Sequence, residues 1–296
     1  MAFIDDNRSD YGVEPICQEM PIAPSTYYLR KSQEADPDKH STRAKRDEVL
    51  LTAIERVWHE SNETYGARKI WKQMQRESID VARCTVERLM RQQGIQGIRR
   101  GKLCITTTPA KDDKPQDLVN RRFQADYPNQ LWVADITYVR SRSGFVYVAF
   151  VVDVFSRYIV GWRVMSNMET PLVLDAFDQA LWARGKPKEV VHHSDHGSQY
   201  LSLCYTKKLI DAGFKPSVGT VGDSYDNALA ETVNGLYKTE LIHKDGPWQG
   251  VKGVEMATLH WVDWCNNRRL LSSIGDLPPK EYEETFYQKQ QSSKAA

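Results

Sequence analysis

The sequence lacks the features that define several protein classes. Its five cysteines are scattered, odd in number and form no Cys-x-x-Cys pair, which argues against a disulfide framework or a cysteine zinc site. The longest apolar run, residues 145–152, is far shorter than the roughly 20 residues of a membrane-spanning helix. The first residues show no signal-peptide pattern. We therefore expect a cytoplasmic protein that makes no membrane contact.

No charge of one sign dominates the chain, because 40 Lys and Arg residues face 39 Asp and Glu residues. The charges are nevertheless unevenly distributed. Residues 1–39 carry a net charge of −4, residues 40–104 carry +6, and residues 123–296 carry −2. A basic block attracts nucleic acid more directly than a net total does. The length of 296 residues predicts about two domains of ordinary size.

The basic block has the pattern of a small helical domain. Apolar residues spaced by three or four positions predict three helices within residues 40–104, which together suggest a helix-turn-helix type of DNA-binding domain. The candidate DNA contacts are the basic residues on the second and third helices: Arg68, Lys69, Lys72, Arg83, Arg88 and Arg91. A solvated helical bundle would carry similar outer charge, so the pattern alone leaves both interpretations open.

The segments around this domain are less distinctive. Residues 1–39 contain a weaker pair of helical patterns, at 13–19 and 23–29. Residues 105–124, with Thr106-Thr107-Thr108-Pro109, are typical of a linker. Residues 125–285 form the predicted catalytic core with its helical extension. Residues 286–296 have the composition of a polar tail.

The pattern changes to alternating strands and helices at about residue 130. Runs rich in Val, Ile and aromatic residues predict strands at 131–139, 145–155, 157–164, 189–193 and 214–218. Helical patterns fall at 171–183, 201–212, 224–240 and 254–264. Three meandering strands followed by this alternation predict an α/β fold with a mixed sheet flanked by helices.

Three acidic residues occupy unusual positions in these elements. Asp135 lies mid-strand between apolar neighbours, Asp195 follows the fourth strand, and Glu231 lies mid-helix. If the fold brings these carboxylates together, they repel one another unless divalent cations neutralise them. Hard carboxylate oxygens suit Mg²⁺ or Mn²⁺, which assist phosphoryl transfer. Lys238 lies two helical turns after Glu231 and is a candidate phosphate contact.

Several motifs together resemble a known family. WVADITY at 132–138, HSDHGSQY at 193–200 and DNALAE at 226–231 resemble the DDE core of retroviral integrases and related bacterial transposases. The 35 residues between Asp195 and Glu231 match the D,D-35-E spacing. YGAR at 65–68, VERLM at 86–90 and WCNNRR at 264–269 are similar to insertion-sequence transposases encoded by two overlapping frames. The chain resembles their downstream-frame product, OrfB.

This resemblance implies both a fold and a reaction. The core would be RNase H-like, with Asp135, Asp195 and Glu231 as catalytic metal ligands. Mg²⁺-dependent cleavage at the element's end would give a 3′-OH that attacks another phosphodiester. The implied partners are DNA, the upstream-frame OrfA product or a fusion with it, and further copies of the chain on DNA at the nucleoid.

Two other functions stay open at this point. The same acids could support hydrolysis only, as in a metal-dependent nuclease. Alternatively, the chain could be a DNA-binding accessory protein that regulates transposition and is inactive alone. The core aromatics are interpreted as packing rather than as a base-stacking platform: Trp132, Tyr138, Phe145, Tyr147, Phe150, Trp162 and Trp182. Asp153, Asp223 and Asp226 are interpreted as turn or helix caps.

Overall fold

The computed structural model describes residues 1–99, 119, 123–219 and 227–295. Most of the predicted linker and the predicted caps Asp223 and Asp226 lie outside these residues. The chain begins with a three-helix bundle of α1 (Ala2–Tyr11), α2 (Val13–Glu19) and α3 (Pro24–Ala35). This bundle has its own small core of Ile4, Ile16, Cys17 and Tyr27. It contains the two predicted helices and a third one that precedes them.

The basic block forms three helices, as its apolar spacing predicts. They are α4 (Thr42–Glu60), α5 (Ala67–Arg76) and α6 (Arg83–Gln92). The hydroxyl of Ser41 accepts a hydrogen bond from the backbone amide of Ala44 and caps α4. The residues that face inward are Leu50, Ile54, Val57, Ile70, Met74, Val86 and Leu89. This leaves the basic side chains on the outer faces of the three helices.

A five-stranded sheet forms the centre of the second half of the chain. Its strands are β1 (Leu131–Ser141), β2 (Gly144–Asp153), β3 (Ile159–Met165), β4 (Val191–Ser194) and β5 (Lys215–Val218). The order is β3-β2-β1-β4-β5. The β1–β2 and β2–β3 pairs are antiparallel, whereas β4 runs parallel to β1 and β5 parallel to β4. Only β2 therefore runs against the others, which is the predicted RNase H-like arrangement.

Helices cover both faces of this sheet. On one face α7 (Thr170–Ala183) packs on β2 and β3, followed in the chain by α8 (Leu203–Asp211). Gly161 permits the close approach of α7, because a Cβ there would meet the Ala176 carbonyl oxygen at 2.1 Å. On the other face lie α9 (Ala228–Tyr237) and α11 (Val251–Asn267), separated by a π-helical turn, Lys238–Ile242, and the short α10 (His243–Asp245).

The last helix, α12 (Pro279–Ala295), corrects one prediction. Residues 286–296 were expected to form a polar tail, but α12 continues through them to Ala295. Gln, Lys and Ala are good helix formers, so low hydrophobicity does not prevent the helix from extending. Across the residues that the structure describes, no helix is long and apolar enough to cross a membrane.

The helix-turn-helix block and the sheet share a single apolar core. One cluster of buried side chains runs from Leu50 and Met74 to Val133 and Trp264. The hydroxyl of Tyr65 accepts a hydrogen bond from the backbone amide of Leu270 at 2.7 Å. We call this contact region, formed by residues 65–76 and 264–281, the junction. Because its centre is buried and apolar, the two parts pack as one body.

Candidate active site

Asp135 lies on β1 where its parallel neighbour ends. The pairing of β1 with β4 stops at Ala134 and Ser194, so Asp135 is the first β1 residue beyond it. One carboxylate oxygen accepts a hydrogen bond from the backbone amide of Ile136 at 2.8 Å, and the other accepts one from the side-chain amide of Asn234 at 2.9 Å. Asn234 belongs to α9, so this bond connects the strand to the helix that carries Glu231.

Asp195 follows β4 directly and lies at the same edge of the sheet as Asp135. The register of β1 with β4 pairs Ala134 with Ser194, so Asp135 and Asp195 are the next residues along the two strands and come close despite their separation in sequence. A carboxylate oxygen of Asp195 accepts a hydrogen bond from the backbone amide of Gly197 at 3.2 Å. The residue is exposed at the surface, although the surrounding protein partly desolvates its carboxylate.

Glu231 lies in the first turn of α9 and is exposed. The start of this helix is held against β1, because the side-chain amide of Asn227 donates to the Ala134 carbonyl at 3.0 Å. An acidic residue in the first turn also interacts favourably with the positive end of the helix dipole.

The three carboxylates interact electrostatically. Burial raises the pKa of Asp135 well above its ordinary value, and the negative charges of Asp195 and Glu231 raise it further. The hydrogen bonds from Ile136 and Asn234 oppose this rise. Burial also raises the pKa of Asp195, against the hydrogen bond from Gly197. The site therefore holds negative charge that the surrounding protein compensates only in part.

The acids are neighbours but do not enclose a metal-sized space. Among the described residues, no group of three or more His, Cys, Asp or Glu side chains converges closely enough to hold a metal ion. The donor chemistry nevertheless suits a hard divalent cation, because the carboxylate oxygens repel one another and the pKa of Asp135 stays raised. The acidic centre thus suits a divalent cation by its charge and by its type of ligand atom.

Lys238 lies close to this acidic centre. Burial lowers its pKa, and the charge of Asp135 acts in the opposite direction. Its ammonium lies 4.6 Å from the centre of the Tyr138 ring. The predicted position two turns after Glu231 is altered slightly, because α9 ends at Tyr237 and Lys238 begins the π-helical turn.

The histidines near Asp195 have structural partners. The hydroxyl of Tyr205 lies 3.0 Å from Nε2 of His192, and Nδ1 of His193 lies 2.9 Å from the hydroxyl of Ser217. Burial lowers the pKa of His192 to about 3, so this ring is neutral. In each of these two histidines, one ring nitrogen is thus bound inside the protein.

Two of the predicted DNA contacts lie at the junction. Arg68 donates to both carboxylate oxygens of Asp276, at 3.0 and 2.8 Å, and to the hydroxyl of Ser272. Lys69 is half-buried, with its ammonium 5.1 Å from the centre of the Tyr65 ring. A DNA contact by either side chain would compete with these interactions, so their role in DNA binding stays a prediction.

The remaining predicted DNA contacts differ in their surroundings. Lys72 lies over the ring of Trp71 at 4.7 Å. Arg88 donates to both carboxylate oxygens of Asp47, at 2.8 and 2.9 Å, while Arg83 pairs with Glu87 one turn away. Arg91 is exposed on the last turn of α6.

Sequence reasoning missed Asn234 and misjudged three aromatic residues. Asn234 is three positions after Glu231, so helical spacing could have placed it beside the acid. Tyr138 and Phe145 were expected in the core but are 49% and 55% exposed. They lie on the β1–β2 hairpin where β4 no longer flanks β1, and Trp182, 74% exposed, lies on the outer side of α7.

Comparisons with known proteins agree with this architecture. Models of the integrase core domain match residues 125–224 and 212–279, and a model of an HTH-like domain matches residues 45–102. The catalytic core domain of HTLV-2 integrase, solved with magnesium, is similar at 20% identity and a TM-score of 0.43, over 53% of this chain and 98% of that one.

Two curated relatives align over nearly the whole chain. The transposase of insertion element IS629 from Shigella sonnei is 56% identical over 97% of this chain and 96% of its own length. The transposase InsF of IS3A from Escherichia coli K12 is 30% identical over 95% and 97%, respectively. The chain therefore belongs to the transposases of insertion sequences that carry an integrase-type catalytic core.

Proposed function

We propose that this transposase cuts DNA at the end of its element and joins the new 3′-OH to target DNA, using Asp135, Asp195 and Glu231 as catalytic metal ligands. The observation that carries this proposal is the placement of the three acids: Asp135 and Asp195 come one residue after the last β1–β4 pair, and α9, which carries Glu231, is bound to β1 through Asn227 and Asn234. Burial raises the pKa of Asp135, and the negative charges of Asp195 and Glu231 raise it further by repulsion. A divalent cation would relieve that repulsion. Mg²⁺ suits the all-oxygen ligands, and Mn²⁺ is an alternative.

Each residue of the centre has a separate task in this proposal. Asp135 is oriented by the amides of Ile136 and Asn234, so its carboxylate offers a fixed direction for metal binding. Asp195 and Glu231 supply the remaining charge from the loop after β4 and from the first turn of α9. Two bound Mg²⁺ ions would share the remaining chemistry. They would polarise the attacking oxygen and neutralise the charge on the leaving oxygen. Lys238 would contact a phosphate beside them.

DNA and protein partners follow from the same proposal. The exposed face of α6, together with Lys72, would contact the phosphate backbone through Arg83, Arg88 and Arg91. Further copies of the chain and the upstream-frame OrfA product, or a fusion with it, would complete the active assembly on DNA. We place this activity in the cytoplasm, at the nucleoid.

A cleavage and strand-transfer assay tests the reaction. The substrate is a duplex that ends in the terminal sequence flanking this gene, with Mg²⁺ or Mn²⁺. We expect nicked 3′-OH ends and joined products from the wild type. Glu231→Gln should abolish both and leave DNA affinity within about twofold, because it removes one metal ligand far from α6. Cleavage that persists in this variant would contradict the site assignment.

The control is Glu255→Gln on α11, which makes the same chemical change at an acid paired with Arg163 on β3. It should cleave normally. Nicks without joined products would support a nuclease only. A DNA shift without cleavage, unchanged in Asp135→Asn, would support an accessory protein. Mn²⁺ titration followed by electron paramagnetic resonance gives a second readout, since Asp135→Asn should weaken ion binding whether or not the protein is active.

A further inference from the structure

An exposed aromatic pair lies on the β1–β2 hairpin next to the acidic centre. The rings of Tyr138 and Phe145 meet edge to face, with centroids 5.6 Å apart and an interplanar angle of 88°. Phe145 is directly opposite Arg140 in the β1–β2 register. Residues opposite each other, and residues two apart on a strand, share one face of a hairpin. Tyr138, Arg140 and Phe145 therefore form a continuous aromatic and basic surface.

Lys238 connects this surface to the acids. Its ammonium lies 4.6 Å from the centre of the Tyr138 ring, and it interacts electrostatically with Asp135. The side chains of Asp135 and Tyr138 leave β1 on opposite faces, but β4 does not flank β1 beyond Ala134, and Lys238 reaches the Tyr138 ring at this open edge. Tyr138 is three residues beyond Asp135 on an extended strand, which places their Cα atoms roughly 10 Å apart. That span corresponds to one or two nucleotides of a DNA strand. A base beside the reacting phosphate would thus reach the aromatic pair.

The charge and position of the hairpin suit DNA. Arg140 and Arg142 are both exposed on the hairpin. The hairpin is also fixed in place, since the backbone amide of Arg142 donates to the Trp248 carbonyl at 2.8 Å. Exposed rings flanked by cationic side chains are the usual means of binding single-stranded nucleic acid, because every base can stack and every phosphate can pair.

We propose that Tyr138 and Phe145 form a stacking platform for an unpaired base of the DNA strand whose phosphate lies at the acidic centre. Lys238 and Arg140 bind the phosphates on either side of that base. This inference rests on the proposed function, since it assumes that DNA approaches Asp135. It adds a binding site for an unstacked nucleotide, so the duplex end opens where it enters the site.

The chain supplies a matched control for this platform. Trp182 on α7 is 74% exposed, and the ammonium of Lys186 lies 4.3 Å from the centre of its ring. It thus repeats the aromatic and cationic pairing of Tyr138 and Lys238 away from the acids. If any exposed ring with a neighbouring lysine bound DNA, Trp182→Ala would behave like Tyr138→Ala.

The test uses the full-length protein and a duplex with a four-nucleotide single-stranded 3′ tail that contains 2-aminopurine. Ca²⁺ replaces Mg²⁺ to limit cleavage. Binding to wild type should quench the fluorescence through stacking. Tyr138→Ala and Phe145→Ala should lose the quenching and bind about tenfold more weakly. Tyr138→Phe, which keeps the ring, and Trp182→Ala should behave as wild type.

The outcomes separate this site from the proposed function. Wild-type quenching in Tyr138→Ala and Phe145→Ala would overturn the platform, even if the protein cleaves DNA in Mg²⁺. Quenching that depends on Tyr138, in a protein that never cleaves, would support the platform and contradict the catalytic proposal. Unchanged thermal unfolding of Tyr138→Ala, expected for a surface residue, shows that loss of quenching is not loss of fold.

Discussion

At the scale of single residues, Lys69 shows how the environment changes the meaning of a basic side chain. Burial lowers its pKa to about 8, and the nearby positive charge of Arg269 lowers it further. The charged form of this lysine is therefore disfavoured in the folded protein. Lys69 was predicted as a DNA contact because of its positive charge, yet it lies where burial makes that charge unfavourable.

The pH dependence of stability follows from this shift. The unfolded chain holds the Lys69 proton up to a pH of about 10.4, whereas the folded protein releases it near pH 8. The unfolded state thus binds more protons between these values, so wild-type stability rises with pH there. Lys69→Met should stabilise the protein by about 1–3 kcal/mol at pH 7, with the gain vanishing near pH 10.5.

Urea unfolding of both proteins at pH 7 and pH 10.5 measures this difference. Lys72→Met on the same helix is the control, because Lys72 lies over the ring of Trp71 whereas Lys69 lies over the buried Tyr65, and this variant should lack the gain at pH 7. A Lys69→Met protein that is less stable than wild type at pH 7 would contradict the assigned cost.

Some residues of the candidate site can be identified from the sequence pattern, and others only from the structure. Asp135, Asp195 and Glu231 stand out in the sequence because acids are rare among apolar neighbours and their spacing matches a motif. Asn234 and Tyr138 carry no such mark, since an amide on a helix or a tyrosine in a strand is common. Their roles depend on which side chain they meet, and only the folded chain determines that.

At the scale of elements, α5 and α6 differ in what their basic residues contact. Arg68 on α5 binds Asp276, and Arg76 donates to both carboxylate oxygens of Glu281, at 3.2 and 2.5 Å. Arg91 on α6 is exposed to solvent. The two helices have similar charge in the sequence, yet α5 binds the segment that contains Asp276 and Glu281, whereas α6 pairs Arg83 and Arg88 within the helical block and leaves Arg91 exposed.

The salt dependence of DNA binding distinguishes these helices. Each lost phosphate contact reduces the slope of log affinity against log salt by about one, because fewer counterions are released. We expect Arg91→Ala to lower the slope and Arg68→Ala to leave it unchanged. Fluorescence anisotropy between about 50 and 200 mM salt gives both slopes. An equal reduction in the two variants would make Arg68 a phosphate contact.

The secondary structure is predictable where apolar residues recur at a regular spacing, and less predictable where this spacing ends. The strands β1 and β2 and the helix α7 match their predicted positions within a few residues. The end of α12 and the π-helical turn after Tyr237 were not foreseen. Composition cannot indicate where a helix made of good helix formers ends, and tertiary contacts decide whether a turn widens.

At the scale of the whole molecule, the junction fastens the helix-turn-helix block to the core. Tyr65 is 3% exposed, and its ring lies 6.1 Å from that of Trp264. Next to it, Arg269 and Glu240 form a buried ion pair with bonds of 2.9 and 2.5 Å. Glu240 lies in the π-helical turn that follows α9. The contact thus extends from the DNA-binding block to the helix that carries Glu231.

A double-mutant cycle of Arg68→Ala and Asp276→Ala measures one polar part of the junction. Surface ion pairs usually contribute less than about 1 kcal/mol, but this pair is bidentate and Asp276 is mostly buried. We expect a coupling free energy of about 1 kcal/mol by urea unfolding. The pair of Lys208 and Asp178, both more than 40% exposed, should couple by less. Equal couplings would mean that Arg68 and Asp276 contribute no more to the junction than an ordinary surface ion pair.

The shared apolar core also limits how such proteins can exchange parts. A chimaera that joins the helical block of one relative to the catalytic core of another must keep the shape around Tyr65, Trp264 and Leu270. Where these surfaces differ, the hybrid would gain cavities or clashes at its centre. Under the proposed function, changes of DNA specificity are therefore easier to acquire by substitutions on the outer face of α6 than by swapping whole domains.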